Sequence, residues 1–326
     1  MKSIITFTPN PCLDETRWMD GDKELRRSYQ TGGKGVNVAR VLASLGNKVT
    51  ALAPLYGAAG EKVLALAKEE GFSLEALPCQ GETRTVVTCV QESTFEQVQH
   101  FQPGSMLTLE HMDAIRQNLA NRLDSCDLLV LSGRLPEGAL KANPQATLDL
   151  YPSLIRLAHS KGVPVWLDCH GAGFLEAATA GPDFFKPNLE EALELADQLK
   201  NQENAGSPFS LSCAPWGAEQ TQRLLPLLDY TRSATLLISL GEEGVFTWQK
   251  GQEAFFPPYR IETVNPVGSG DSFVAGWLHG WCKGYDMAQC IRLAQAAGAA
   301  NASMWVAAQI SAADILGIDP ALASLL

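Results

Sequence analysis

The clearest chemistry lies toward the C-terminus, where Thr263-Val264-Asn265-Pro266-Val267-Gly268-Ser269-Gly270-Asp271-Ser272-Phe273 runs into Val274, Trp277, Leu278 and Trp281 at helical spacing. This pattern predicts a tight glycine turn opening directly into an amphipathic helix. A helix N-terminus presents unsatisfied N–H groups and the positive end of the helix dipole, which together suit a phosphate. Gly268 and Gly270 let a ligand approach the backbone, and Asp271 sets a carboxylate beside the same amides. An acid next to an anion hole is unfavourable unless it works, for example by accepting a hydroxyl proton while the amides stabilise a transferring phosphoryl group. Taken alone, the turn also reads as an ordinary helix cap.

A second glycine turn, Thr31-Gly32-Gly33-Lys34-Gly35-Val36-Asn37-Val38-Ala39-Arg40, also leads into a helical pattern. It matches neither G-x-x-x-x-G-K-[ST] nor G-x-G-x-x-G, which counts against P-loop and dinucleotide-binding classes. Its flat di-glycine start lets a polar ligand lie against backbone, with Lys34 and Asn37 placed to bind ligand oxygens. The five histidines, at 100, 111, 159, 170 and 279, have no metal-ligand spacing, and His170 reads as structural. Trp277 and Trp281 read as core rather than as a sugar-stacking platform.

These turns occur in order with Thr8-Pro9-Asn10-Pro11-Cys12-Leu13-Asp14, Lys186-Pro187-Asn188-Leu189-Glu190-Glu191 and Ser239-Leu240-Gly241-Glu242-Glu243-Gly244. Five such blocks in this order resemble the ribokinase-like sugar kinases of the phosphofructokinase B family, nearest the 1-phosphofructokinase and tagatose-6-phosphate kinase branch. The resemblance runs from residue 1 to about residue 305. It implies an ATP- and Mg²⁺-dependent kinase in which Asp271 is the base and Gly268, Ser269 and Gly270 form the anion hole. It further implies that Asn188 and Glu191 organise Mg²⁺, often through water, and that Lys186 lies near the nucleotide phosphates. Ser239, Gly241, Gly244, Thr263 and Asn265 are implied for the nucleotide pocket, with Asn301 on its adenine side. On the acceptor side it implies Asp14, Gly33, Lys34 and Asn37; a carboxylate can accept from two adjacent hydroxyls, which suits a polyol.

The chain departs from the branch at three places. Where T-R-x-N-x-K is common, this sequence has Thr83-Arg84-Thr85-Val86-Val87-Thr88, keeping Arg84 and losing the lysine. S-G-S-L-P-x-G becomes Ser132-Gly133-Arg134-Leu135-Pro136-Glu137-Gly138, and D-x-S-G becomes Asp168-Cys169-His170-Gly171. An arginine fork suits a phosphate, so Arg134 can replace the lost lysine, and equally it can be a surface residue. The implied acceptor is a ketose phosphate such as fructose 1-phosphate, fructose 6-phosphate or tagatose 6-phosphate. The alternatives are an unphosphorylated sugar or nucleoside, or a non-catalytic sugar sensor.

The elements that must hold these residues are legible in outline. Short β-rich runs at 4–8, 49–53, 128–132, 165–168, 184–186 and 236–240 alternate with helical patterns at 61–70, 109–125, 153–160, 189–200, 271–281 and 287–300. Val38, Val41, Leu42 and Leu45 add a helical stripe ending at Gly46. Alternation of this kind predicts an α/β fold with a mainly parallel sheet covered by helices on both faces. Residues 15–31 and 83–101 interrupt it and predict a small, discontinuous β-lid, leaving 1–14, 32–82 and 102–326 as the α/β domain. A lid with an apolar outer face also allows a homodimer. Residues 201–217, rich in Gly, Ser, Pro and Asn, read as a surface loop.

The 326 residues include 46% apolar and 19% charged positions, which is globular usage. With 25 Lys and Arg against 36 Asp and Glu the net charge is −11, which disfavours a broad nucleic-acid or membrane footprint. Eight cysteines, at 12, 79, 89, 126, 169, 213, 282 and 290, form no C-x-x-C pair and read as reduced, mostly buried thiols. Pro9 and Pro11 break the N-terminal apolar run, and no stretch reaches the roughly 20 apolar residues of a membrane span. The expected location is the cytoplasm.

Overall fold

The computed structural model describes residues 2–94, 96–104, 106–200, 216–231 and 234–326. Its strands are β1 (Ser3–Phe7), β2 (Cys12–Asp20), β3 (Lys23–Gly32), β4 (Lys48–Pro54), β5 (Ser73–Leu77), β6 (Arg84–Gln91), β7 (Gln97–Phe101), β8 (Leu128–Ser132), β9 (Val165–Asp168), β10 (Phe184–Phe185), β11 (Thr235–Ser239), β12 (Val245–Gln249) and β13 (Gln252–Phe256). Nine of them form one sheet in the order β13-β12-β11-β10-β9-β8-β1-β4-β5. It is parallel from β5 to β11, with β12 and β13 antiparallel at one edge. The expected α/β sheet is thus present.

Successive strand residues point to opposite faces, and both faces are covered. Leu129, Leu131, Val165, Leu167, Leu236 and Ile238 pack into one apolar cluster, with the helices Leu109–Leu123, Leu150–Ser160, Leu189–Lys200 and Ala218–Tyr230. Ile4, Leu128, Val130, Trp166 and Leu237 point the other way, into a cluster with the helices Lys34–Ser44, Gly57–Glu69, Ser269–Lys283 and Met287–Ala302. No helix among the described residues is long and apolar enough to cross a membrane.

The remaining four strands make a separate sheet, β3-β2-β6-β7. Residues 15–31 and 83–101 lie largely within it, but β2 begins at Cys12 and β3 ends at Gly32. Asp14 therefore sits on the small sheet itself rather than before it. Trp18 on β2 meets Trp305, in the loop after Met287–Ala302, with ring centroids 5.5 Å apart and planes at 68°.

Three strands go beyond the sequence reading. β5 is an edge strand of mixed polarity, and β12 with β13 forms a hairpin whose turn uses positive φ at Lys250 (52°) and Gly251 (81°). A lysine at position 250 is not a turn-forming signature, so the hairpin is hidden in the sequence. The expected loop over 201–217 falls mostly outside the described residues, as does Cys213.

Candidate active site

The chemistry collects where the parallel strands end. β1, β8, β9, β10 and β11 all deliver their C-terminal ends to one side of the sheet, the usual place for a ligand in an open α/β sheet. There the helix Ser269–Lys283 begins from Gly268, whose φ of 81° is a left-handed conformation that glycine adopts without strain. Asp271, in the first turn, is only 6% exposed. Its Oδ2 accepts a 2.7 Å hydrogen bond from Nδ2 of Asn37, which comes from the other glycine-led helix, Lys34–Ser44. Burial, and to a lesser degree the Asp168 carboxylate, push the Asp271 carboxyl up to about 6, against the pull of Lys34, Lys186 and the Asn37 hydrogen bond.

Two cations stand beside this acid. Lys34 Nζ donates to Asp168 Oδ1 at 3.1 Å, and Lys186 Nζ lies 3.9 Å from the same oxygen. Burial opposes the charge on Lys34, but Asp168, Asp271 and Glu191 outweigh it and hold its ammonium above the ordinary lysine range. Burial likewise opposes the charge on Asp168, and Lys186 and Lys34 keep it below the usual carboxylate range. Among the described residues the buried Asp168 Oδ2 has no hydrogen-bond partner, which leaves a spare acceptor at the site. In the sequence Asp168 stands out only as part of the altered motif Asp168-Cys169-His170-Gly171. Its strand-end position, shared with Lys186 and Ser239, is the signal that could have found it.

Asn188 and Glu191 first of all cap a helix. Asn188 Oδ1 accepts from the Glu191 backbone N–H, and Glu191 Oε2 accepts from the Asn188 backbone N–H, both at 2.8 Å. This reciprocal box starts Leu189–Lys200. Glu191 Oε1 remains for other work and lies 3.9 Å from His170 Nδ1, a buried nitrogen without a hydrogen-bond partner among the described residues. Among the described residues no three His, Cys, Asp or Glu side chains cluster as a direct metal cage. One spare carboxylate oxygen and the unpartnered Asp168 oxygen fit Mg²⁺, which keeps most of its waters and needs few protein ligands.

A cavity of about 380 Å³ opens beside the start of Ser269–Lys283. Asn188, Ser239, Gly241, Gly244, Thr263, Ser269 and Gly270 line it, as do Tyr259 and Phe273, which the sequence reading does not assign to a ligand. Lys186 Nζ stands at its Gly270 end, 3.8 Å from where a Cβ on that glycine would lie. Asn265 and Asn301 do not line the cavity. Asn301 is fully buried and donates to Val267 O and Ser269 Oγ at 2.8 and 3.0 Å, while Asn265 donates to Trp305 O at 2.8 Å. Both amides support the glycine turn instead, Asn265 by accepting at its Oδ1 from the Val267 N–H at 3.1 Å, because that backbone needs partners that no strand supplies.

On β2, burial raises the Asp14 carboxyl to about 6 against the Cys12 thiol, Arg40 and Arg84. Cys12 Sγ donates to Asp14 Oδ1 at 3.2 Å. Gly32 makes room for the pair, since a Cβ there would collide with the Asp14 carboxylate. Gly33, with φ 109°, starts the Lys34 helix against Thr8 and Pro11. Arg84 donates to the carbonyl of Asn10 at 3.2 Å, and its buried Nε has no hydrogen-bond partner among the described residues. Arg134 is exposed after the end of β8, beside Gly171 and His170, and makes no hydrogen bond or ion pair among the described residues.

The profile of the pfkB family carbohydrate kinases matches residues 10–304. The chain is 29% identical over 303 residues to the ATP-dependent 6-phosphofructokinase isozyme 2 of Mycobacterium tuberculosis, covering 91% of this chain and 83% of that one. It is 29% identical over 309 residues to the tagatose-6-phosphate kinase of Staphylococcus epidermidis, covering 92% of each. In fold it is similar to phosphofructokinase-2 from Escherichia coli in complex with potassium, with a TM-score of 0.82 at 23% identity over 99% of both chains. With the family profile spanning most of its length, the chain belongs to the pfkB family of carbohydrate kinases and is a phosphotransferase acting on an alcohol group.

Proposed function

We propose that this kinase transfers the γ-phosphoryl group of ATP to a hydroxyl of a ketose phosphate such as fructose 1-phosphate, fructose 6-phosphate or tagatose 6-phosphate. The observation that carries the reading is the place of Asp271, buried at a helix N-terminus between the 380 Å³ cavity and the Lys34–Asn37 block. The named activities of the relatives, a 6-phosphofructokinase and a tagatose-6-phosphate kinase, support the acceptor class.

In this reading Asp271 takes the proton of the attacking hydroxyl as its oxygen bonds to the γ-phosphorus. The bond from that phosphorus to the β,γ-bridging oxygen breaks, and ADP leaves with the electron pair. The N–H groups at Gly268, Ser269 and Gly270, with the Lys186 ammonium, take the charge on the transferring group. Asn188, Ser239, Gly241, Gly244 and Thr263 hold the nucleotide. Glu191, capped against Asn188, would hold Mg²⁺ through water, and the bound ion would neutralise phosphate charge. Asp14 accepts from the sugar hydroxyls, with Gly33, Lys34 and Asn37 beside it, while Arg84 and Arg134 bind the phosphate already on the acceptor. Residues 15–31 and 83–101 act as the lid that excludes water, and a second copy of the chain can pair with it in a cytoplasmic enzyme.

The test is ATP consumption with fructose 1-phosphate, fructose 6-phosphate, tagatose 6-phosphate and unphosphorylated sugars in parallel. Turnover confined to phosphorylated ketoses is expected. One observation favours a free-sugar acceptor instead: the usual lysine is Thr88, whose hydroxyl accepts from Gln99 at 3.3 Å. Turnover of free sugars alone would establish that reading and remove the phosphate role of Arg84 and Arg134.

A further inference from the structure

We propose that Arg40 is a positioning residue that fixes the Asn37 amide so that its NH₂ group, and not its oxygen, faces Asp271, and that couples this amide to the end of the lid strand at Thr31. The inference rests on Asp271 being the base.

Arg40 lies in the middle of the helix Lys34–Ser44 and is 4% exposed. Its guanidinium is fully used. Nη2 donates to Asn37 Oδ1 and to Ala307 O, both at 2.8 Å, and Nε donates to Ala308 O at 2.8 Å. Nη1 donates to Thr31 O and Thr31 Oγ1 at 2.9 and 2.7 Å, and to Glu70 Oε2 at 3.1 Å. Glu70 accepts in turn from the Thr31 hydroxyl at 2.7 Å.

The consequence for Asn37 follows from donor and acceptor inventory. An amide side chain has one oxygen and one NH₂, and its two ends can exchange places at little steric cost. A guanidinium donates only, so the end of Asn37 that meets Arg40 must be the oxygen. The NH₂ end is then committed to Asp271 Oδ2, at 2.7 Å. That bond aims one carboxylate oxygen and favours its ionised, proton-accepting form. Without Arg40 the amide is free to turn its oxygen toward Asp271, where it would repel the carboxylate.

The same guanidinium also holds Thr31, the penultimate residue of β3. A displacement of the small sheet that pulls Thr31 is therefore felt by the group that sets Asn37. A lysine at 40 keeps the charge but has a single nitrogen, which cannot reach Asn37, Thr31 and the Ala307 and Ala308 carbonyls together.

The experiment is a pH profile of kcat/KM for wild type, Arg40→Lys, Asn37→Asp and Asp271→Asn, with ATP and the sugar phosphate that turns over fastest in the acceptor screen. Melting transitions measured alongside identify the folded variants. Arg40→Lys is expected to lower kcat roughly 10- to 100-fold, as a misplaced reacting group does, and to leave the KM for ATP within about twofold, because Arg40 does not line the nucleotide cavity. Its acidic limb should move up by about one pH unit. Asn37→Asp keeps the side-chain size and an acceptor for Arg40 while replacing the NH₂ donor, and its acidic limb should move the same way. If Arg40→Lys does not fold, Asn37→Asp decides alone. Folded variants that keep the wild-type limb overturn the proposal. Turnover by Asp271→Asn would instead overturn the base assignment.

Discussion

At the start of the helix Lys34–Ser44 the glycines are pressed against their neighbours, whereas at the start of Ser269–Lys283 one of them faces open space. A Cβ on Gly33 would lie 3.0 Å from Thr8 Cγ2 and 3.1 Å from Pro11 Cα, and one on Gly35 would lie 2.5 Å from Thr8 Oγ1. Gly268 is confined in the same way, 3.0 Å from Ala308 N, but a Cβ on Gly270 would meet only Lys186 Nζ, at 3.8 Å. The charges differ too. The first helix starts with a cation, Lys34, held between carboxylates; the second carries an acid, Asp271, whose field acts on that cation. Two turns of similar composition thus differ in their surroundings, one packed tightly against its neighbours and the other leaving a gap beside its backbone.

Removing the acid should separate the two turns most sharply. Asp271→Asn is expected to lower kcat by at least the ~10²- to 10⁴-fold of a lost general base, with ATP affinity nearly unchanged in a calorimetric titration, because the helix-end amides remain. Arg134→Ala tests the acceptor side alone. It should raise the KM for a phosphorylated acceptor roughly tenfold to a hundredfold, since charge-assisted bonds contribute about 1.5–3 kcal/mol, and should leave the KM for ATP alone.

The glycines themselves give the next contrast. Gly33→Ala forces a side chain into a φ of 109° against Thr8 and Pro11, and denaturant melts should show a loss of about 1–3 kcal/mol. Gly270→Ala should be neutral, or stabilise by up to ~1 kcal/mol through helix propensity, while lowering kcat because the methyl group enters the place proposed for the transferring phosphoryl group. Equal stability losses in both variants would erase the difference between a packed turn and an open one.

The buried acid also sets a pH dependence of stability. Burial raises the Asp271 carboxyl from 3.8 to about 6, so between those values the folded chain binds the proton that the unfolded chain releases. Stability from this group is present below about pH 4 and is lost as pH rises through 6. Asp271→Asn should therefore melt higher than wild type at about pH 7.5, with the difference shrinking toward pH 4.

The sequence is most readable where a residue's role is local. Gly268 to Asp271, Gly33, Lys34 and Asn37 fall in glycine turns followed by helical stripes, and such patterns depend on near neighbours only. Asp168 and Arg40 carry no comparable signature. Asp168 acquires its role when Lys34, 134 positions away, folds against it, and Arg40 does so by meeting the carbonyls of Ala307 and Ala308. Asn265 and Asn301 mark the converse case, in which the correct neighbourhood is legible but the direction of the side chain is not. In the fold, the central strands are visible as unbroken apolar runs buried on both faces. The edge strands β5 and β13 are not, because an edge tolerates mixed polarity, and β12 is tied to β13 by the hidden turn.

The contact between Trp18 and Trp305 gives the protein an optical gauge of its own. The other five of its seven tryptophans, at 166, 216, 248, 277 and 281, pack with the body of the main sheet, while Trp18 rides on the small one. Indole emission responds to the polarity around the ring and to quenching by a neighbour, and both change when two rings 5.5 Å apart are drawn away from each other. Rapid mixing with substrate followed by intrinsic fluorescence, with Trp305→Phe as the reference that lacks the ring pair, tests without any attached label whether the small sheet moves.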